Sequence, residues 1–354
     1  MKKVIKIAFL LPSLKNLGPI IVVKDIVDGL LKNKNLSVTV FYFDDIKEDV
    51  LSFAVNCIKI DFLRKHDFSD FDIIHSHGLR PDIYTFFNKT CKLTVSTQHN
   101  IVFEEYIINN SYMKSKLIEG IWTFSLLNKT KIVAIGETAR KYYENFYYCR
   151  TKVINIPNGR NLVSIGGVPE EDLRLIQNFK KNYICIGTCT RAIKLKGHKQ
   201  IIQSLVELKE FCFVLIGDGD YLKELQKLAN QLNVQDRCLF LGYRKNATAY
   251  LELFDIFSQT SYSESISIAL LEAAAAKKAI ICSNIPVNRD VFSNDEVAFF
   301  ALDNIESLVY SIRRLVSNKN DYESKVFKKY QKEYTSEKMA ERYYKLYTSL
   351  INEV

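Results

Sequence analysis

The sequence predicts an α/β protein of two doubly wound, Rossmann-like domains. Three observations predict it. Short apolar runs alternate with longer amphipathic stretches along all 354 residues. The runs are continuously apolar, as strands buried on both faces of a parallel sheet must be. They also fall into two sets, separated by a stretch rich in turn residues.

In the first set the strands are expected near 4–11, 37–43, 72–75, 93–97, 131–135 and 152–156. In the second they are expected near 183–188, 211–216, 237–241, 255–259, 279–282 and 297–300. Helical patterns lie between them, for example at 19–33, 198–209, 220–232 and 267–277. Asn155-Ile-Pro157-Asn158-Gly159 closes the first set, and Asn161 to Pro169, with Gly166-Gly167, reads as a linker. This divides the chain into domains 1–163 and 164–336. Residues 337–354 carry a last amphipathic helix. In paired open sheets ligands bind at the carboxyl ends of the strands, here expected across a cleft between the domains.

Composition narrows the function classes. The chain is 47% hydrophobic and 25% charged, as soluble globular proteins are. No apolar stretch reaches about 18 residues, so no membrane-spanning helix is expected. The N-terminal Lys-Lys-Val-Ile-Lys-Ile run is interrupted by Lys6 and lacks a small-residue cleavage site. It reads as a first buried strand. Eight scattered cysteines sit partly in strand-like segments, as small hydrophobes in a reducing compartment do. They form no zinc-ligand spacing.

The formal net charge is +9. Residues 1–163 hold 23 Lys and Arg against 16 Asp and Glu, the remainder 26 against 24. The excess suits an anionic partner or an anionic membrane surface, and equally a lysine-rich overall composition. No compact basic run with interleaved aromatics points to nucleic acid. The lysines and apolar residues Lys114, Lys116, Ile121, Trp122, Phe124 and Lys129 around one helix fit a membrane surface or ordinary packing.

Chemistry concentrates in five segments. Glu264 lies in a Ser-rich turn after a strand, and Glu272 lies eight residues on, in an Ala/Leu-rich helix. If the whole span were helical, the two would differ by roughly 80° around the axis. A helix N-terminus beside Glu264 would attract phosphate through its backbone N–H groups. The alternative is a capped surface helix with an incidental second Glu.

Gly187 to His198, with Arg191, Lys194 and Lys196, follows a strand and opens a helix. Its cations suit a diphosphate, or form a solvated basic loop. Leu215-Ile-Gly217-Asp218-Gly219-Asp220 lacks the third glycine of a dinucleotide fingerprint. Its two carboxylates read as a helix cap and a first-turn acid rather than a metal site. Gly242, followed by Tyr243, ends another strand in a turn that lets a flat base approach. In the first half Gly18 sits in the loop after strand one. His75, His77 and His99 stand at strand ends, where hydrogen bonding or proton transfer is possible and a structural role is common.

Together these segments resemble the retaining glycosyltransferases of the large family four, with the GT-B fold. The resemblance covers most of the chain and is strongest over 183–292. It rests on Arg191-x4-Lys196-Gly197-His198, Leu215-Ile-Gly-Asp-Gly, Phe240-Leu-Gly242, the Glu264-x7-Glu272 pair followed by Ala273, and Asn284-Ile-Pro286. In the first half Thr97-Gln-His99-Asn100, Ala134-Ile-Gly-Glu-Thr-Ala and Ile156-Pro157-Asn158-Gly159 add to it.

The resemblance implies transfer of a sugar from a nucleotide diphosphate, without a metal or other cofactor. It places Arg191 and Lys196 on the diphosphate, Glu264 and His99 near the sugar, and Glu272 on the ribose. Backbone N–H groups of Ser265, Ile266, Ser267 and Ile268 would meet the phosphates or sugar. The first domain would take the acceptor, a glycan or polyprenyl-linked intermediate of surface polysaccharide synthesis. The second would take the donor, with the last helix crossing back to the first. The implied setting is the cytoplasm, at the inner face of the membrane. A sugar-nucleotide epimerase and a non-catalytic interaction protein are the alternatives on this fold. The chain departs from the pattern at Ser265-Ile-Ser267, where the family carries Gly-aromatic-Gly, so sugar choice does not carry over. It departs also at Lys277-Lys278-Ala279 and in having one glycine, Gly18, in the first loop.

Overall fold

The computed structural model describes residues 4–88, 91–107, 110–162 and 166–353. The chain forms two compact units, Met1–Gly159 with Tyr334–Val354, and Arg160–Glu333. The boundary expected at 163/164 lies outside the described residues.

Unit 1 is built on seven parallel strands: β1 (Ile5–Ser13), β2 (Leu36–Asp44), β3 (Cys57–Lys59), β4 (Ile73–His77), β5 (Leu93–Gln98), β6 (Lys131–Ala134) and β7 (Val153–Asn155). They are ordered β3-β2-β1-β4-β5-β6-β7. Both faces are covered by helices: α1 (Gly18–Leu30), α2 (Leu79–Phe87), α3 (Val102–Ile107), α4 (Tyr112–Ser125) and α5 (Glu137–Glu144). Residues Ile7 to Leu11 of β1 are wholly buried, so the apolar N-terminal run is a core strand.

Unit 2 repeats the plan with β8 (Ile184–Cys189), β9 (Phe211–Ile216), β10 (Cys238–Gly242), β11 (Ile256–Gln259), β12 (Ala279–Ser283) and β13 (Ala298–Phe300). Their order is β10-β9-β8-β11-β12-β13, again all parallel. Its helices are α6 (Glu170–Lys180), α7 (Lys199–Ser204), α8 (Leu222–Gln231), α9 (Ile268–Ala275), α10 (Pro286–Val291), α11 (Ile305–Ser317) and α12 (Lys319–Glu333). The last helix, α13 (Ser336–Asn352), belongs to unit 1 and packs along α1, with Lys32 Nζ 3.1 Å from Glu337.

The same winding rule acts in both units. The chain starts in the middle of each sheet, runs to one edge, returns and fills the other side. Strands β1 and β4 in unit 1, and β8 and β11 in unit 2, are therefore neighbours whose following loops diverge. Such a switch point leaves a crevice at the carboxyl ends of the two strands.

All twelve expected strands form. β3 is additional; its three residues pair with β2 at Val40, Phe41 and Tyr42. The helix expected at 198–209 is only the six residues of α7, because Leu205 to Leu208 turn tightly into β9. All eight cysteines are free, six of them buried.

Candidate active site

In unit 2 the two loops at the switch point carry the predicted cations and the first carboxylate. The loop after β8 holds Arg191, Lys194 and Lys196; the loop after β11 holds Glu264. Backbone and side-chain bonds lace them together. Tyr262 N–H donates to Leu195 O at 2.9 Å, and Thr260 Oγ1 to Lys196 O at 2.8 Å. Gly197, at φ +63°, closes the turn after Lys196. A Cβ there would stand 2.2 Å from Thr260 O, so only glycine lets the loops meet.

Lys196 Nζ consequently reaches Glu264 Oε1 at 2.5 Å. The same oxygen accepts Gln259 Nε2 at 2.7 Å and Ser261 Oγ at 2.5 Å. Three donors on one oxygen fix the carboxylate's orientation and leave Oε2 with none of these bonds. Both side chains are largely buried, where charge-assisted bonds are strongest. Arg191 differs: it is exposed, and its guanidinium has no side-chain partner among the described residues. Its carbonyl accepts from or faces the buried His198 Nε2 at 3.1 Å, and burial lowers the His198 pKa to about 4. A neutral imidazole thus braces the loop through its backbone.

Helix α9 begins at Ile268, so the span from Glu264 to Glu272 is not one helix and the 80° relation does not hold. Ser267 is the N-cap; its hydroxyl accepts the N–H of Leu270 at 3.4 Å. That hydroxyl oxygen is engaged by the helix backbone. Ile266 is buried and presents backbone only, while Ser265 is half-buried. The first N–H groups of α9, on Ile268 and Ala269, have no acceptor one turn earlier within the helix.

Glu272, buried in α9, does not join the Lys196–Glu264 cluster through any of the bonds above. Its Oε1 accepts Arg160 Nε at 2.9 Å. Arg160 was not among the residues the sequence singled out, because Ile156-Pro-Asn-Gly159 reads only as a turn. A cation directly after the turn was the available signal, but its partner lies 112 positions away.

The turn after β10 is pinned from below. Arg244 makes a bidentate pair with Asp172, Nε to Oδ2 at 2.6 Å and Nη2 to Oδ1 at 3.0 Å. Gly242, at φ +70°, has open space where a Cβ would be, and Tyr243 is exposed. Asp218 and Asp220 do not cap α8, whose N-cap is Tyr221; Asp218 Oδ1 instead accepts the N–H of Gly219 at 2.7 Å. Among the described residues no three His, Cys, Asp or Glu side chains are grouped to hold a metal.

In unit 1 Gly18 opens α1, with open space over its Cα. The strand-end histidines are core residues. His75 is fully buried, with Nδ1 at 2.6 Å from Tyr347 Oη and Nε2 at 2.8 Å from Thr97 Oγ1. It ties β4 to α13 and is not available for proton transfer. His77 Nδ1 lies 2.9 Å from His99 Nε2, with Phe9 stacked on His77. Burial lowers the His99 pKa to about 4, so near neutrality it is an uncharged hydrogen-bonding group.

Of the two readings of Trp122 and Lys129, ordinary packing is the one that holds for these two side chains. Trp122 Nε1 donates to Asp82 Oδ2 at 2.8 Å, and Lys129, fully buried, sits 3.7 Å from Asp82 Oδ1. Ser76 Oγ, Ser96 Oγ and Gln98 Nε2 complete the shell around Asp82. These side chains turn inward to a buried carboxylate and cannot meet a membrane.

Two doubly wound parallel sheets of this order define the GT-B architecture. Among solved structures, Anabaena Alr3699/HepE in complex with UDP superposes with a TM-score of 0.80 at 16% identity, covering 98% of this chain and 100% of that one. Residues 169–334 match the family model of glycosyl transferases group 1. Over its length the chain is similar to the O-antigen biosynthesis glycosyltransferase WclY of Escherichia coli, 27% identical across 99% of both. It is also 25% identical to the E. coli UDP-Gal:alpha-D-GlcNAc-diphosphoundecaprenol alpha-1,3-galactosyltransferase, over 70% of this chain and 67% of that protein. The family-level resemblance read from the motifs holds, and the chain is a glycosyltransferase of the hexosyl class, EC 2.4.

Proposed function

We propose that this protein is a retaining glycosyltransferase that moves a hexose from a nucleotide diphosphate to a polyprenyl-linked or oligosaccharide acceptor. The product would be an intermediate of O-antigen, capsule or exopolysaccharide. The names of its relatives support that setting, one acting in O-antigen biosynthesis and one on a diphosphoundecaprenol-linked sugar. The reaction would take place in the cytoplasm, at the inner face of an anionic membrane. Unit 2 takes the donor and unit 1 the acceptor. No metal or other cofactor would be needed, since Arg191 and Lys196 would meet the charge of the diphosphate.

One observation carries the donor reading: the Lys196–Glu264 pair at the switch point of the second sheet, in whose first loop Arg191 is exposed and without a side-chain partner among the described residues. When the bond from the anomeric carbon to the diphosphate oxygen breaks, negative charge grows on the departing phosphate. Arg191 supplies a planar fork and Lys196 a point charge to meet it. Glu264, fixed at Oε1, offers Oε2 toward the sugar. Glu272, held by Arg160, meets the ribose. The N–H groups of Ser265 to Ile268 face phosphate or sugar, Gly242 and Tyr243 border the base, and Gly18 and neutral His99 serve sugar or acceptor from unit 1.

The test is transfer from a panel of nucleotide sugars to a diphospholipid-linked sugar, with the anomeric configuration of the product read by NMR. Transfer with the donor's configuration kept is the expected result. Inversion would sink the retaining mechanism, and donor turnover to a free epimer without acceptor would replace transfer altogether.

A further inference from the structure

One ladder places the histidines of the first sheet. β4 and β5 are parallel, with His75 beside Val95 and His77 beside Thr97. Side chains two positions apart share a face of a sheet, so His75 stands with His77, and Thr97 with His99. Each histidine of β4 bonds diagonally, past its register partner: His75 to Thr97, and His77 to His99. The inner step is closed, because both ring nitrogens of His75 have a partner. The outer step is open at both ends.

His77 is 1% exposed and His99 7%. His77 Nδ1 lies 2.9 Å from His99 Nε2. His77 Nε2 is enclosed and has no partner among the described residues. Phe9 stacks on the ring and offers it no acceptor. His99 Nδ1 bonds to no described residue either, but it is not shut from solvent.

Both rings are neutral near pH 7, since burial brings His99 to about 4 and holds His77 well below the usual histidine range. Each ring therefore carries one proton, and one proton lies between the two. Two arrangements satisfy this. If His99 donates from Nε2, its Nδ1 is a bare base facing outward, and His77 buries an Nε2–H that nothing receives. If His77 donates from Nδ1, His99 accepts at Nε2 and carries its own proton on Nδ1. What is then enclosed is only the lone pair of His77 Nε2. Orphaned buried N–H groups are the rarer fault in folded proteins. The chain makes the same choice at His198. Its Nε2 lies 3.1 Å from Arg191 O, which can only accept, so the enclosed and unpartnered Nδ1 of that ring is a lone pair.

We infer that His77 is a positioning residue that holds His99 in its Nδ1–H form, so that His99 offers a bound substrate a hydrogen-bond donor and not a base. What it meets is an oxygen lone pair, on a sugar hydroxyl or a phosphate. The inference rests on the transferase reading, which brings such oxygens to this strand end. It removes His99 from the groups that could take the proton of the acceptor hydroxyl.

With only five histidines the ring signals can be resolved one by one. The full chain, isotope-labelled at the histidine ring nitrogens, is studied near neutral pH without substrate. Two-bond proton–nitrogen NMR spectra separate the two neutral tautomers, and single substitutions assign them. Nδ1–H is expected on both His77 and His99. Nε2–H on His99 overturns the inference and leaves the transferase reading standing. In His77→Leu the lock is gone and His99 should show both forms. In His77→Asn the amide nitrogen takes the place of Nδ1 and should restore the Nδ1–H form.

Transfer from a nucleotide sugar to a diphospholipid-linked sugar adds a readout that a purely structural residue would not move. His77→Leu should raise the KM of the substrate that meets His99 by about fivefold and change kcat less, because only the Nδ1–H fraction binds. His77→Asn should reverse the rise. A rise for the nucleotide sugar assigns the oxygen to the donor; a rise for the lipid-linked sugar assigns it to the acceptor. A rise that His77→Asn does not reverse marks a structural role and overturns the inference. So do two unchanged KM values in His77→Leu and His99→Phe. Melting curves verify folding; should His77→Leu not fold, the wild-type ring signals and the kinetics of His99→Phe decide. Absence of transfer from every nucleotide sugar removes the transferase reading and the substrate oxygen with it, while the ring signals decide the lock in either case.

Discussion

Arg160 Nε donates to Glu272 Oε1 at 2.9 Å, with both side chains only 12% exposed. The residue directly after the Gly159 turn thereby holds a carboxylate inside α9. One oxygen of Glu272 is occupied by a cation, which helps to fix the orientation of the carboxylate. If Glu272 holds the ribose as proposed, Arg160→Ala should raise the KM for donor by about tenfold and change kcat less, since such a contact is made equally before and during transfer. Loss of the Arg160–Glu272 ion pair should also lower stability by about 1–3 kcal/mol. Steady-state kinetics and urea melts measure the two separately. An unchanged donor KM would remove Arg160 from the site.

Lys196→Ala and Glu264→Gln should act on kcat instead. Each removes a group assigned to charge that develops only as the diphosphate leaves, so a fall of about 100-fold or more is expected. Glu264→Gln keeps the shape but weakens the acceptor for Lys196, Gln259 and Ser261. Retention of full transfer activity in either variant would contradict the assigned roles.

The strands were readable in the sequence because burial on both faces leaves unbroken apolar runs, as in Phe211-Cys-Phe-Val-Leu-Ile. The loop carrying Arg191 and Lys196 and the turn carrying Glu264 were readable because each follows such a run. β3 was not, since Cys57-Ile-Lys owes its conformation to pairing with β2 and not to any pattern of its own. The direction of α4 was hidden for a related reason. Helical spacing shows that a stripe exists, but which side faces the core depends on partners such as Asp82 and Tyr142, distant in the chain. The Arg160–Glu272 pair is invisible on the same ground.

Acid should destabilise the protein well before its carboxylates titrate. Burial lowers His75 and His77 well below the usual histidine range and brings His99 and His198 to about 4. An unfolded chain binds protons at these sites near pH 6.5, the folded one only below that. Their stabilising effect is complete above about pH 6.5 and is lost as pH falls toward 4, with a slope of up to about 1.4 kcal/mol per pH unit for each histidine. Urea midpoints at pH 7.5, 5.5 and 4.5 measure it; a flat series would show that the four rings take up protons in the fold as readily as in the unfolded chain.

Asp82→Ala should be among the most damaging single changes away from the candidate site. It strips a shared acceptor from Ser76, Ser96, Gln98 and Trp122 and removes the carboxylate that balances the buried ammonium of Lys129. A loss of about 3–5 kcal/mol is expected. Combining it with Lys129→Met should recover part of that loss, because the stranded charge goes too. Denaturant midpoints of the single and double variants decide between these outcomes.

The tie between His75 and Tyr347 spans 272 positions, and that between Thr97 and Tyr343 spans 246. Everything from Arg160 to Glu333, a complete unit, is threaded between the two halves of another. A ribosome emits these parts in order. Unit 2 leaves as one uninterrupted segment and can close on itself at once. The seven strands made before it must wait for α13 before their buried histidine and threonine find the tyrosines that satisfy them. The half synthesised first is thus the half completed last, and until then its polar core stands open to chaperones and proteases.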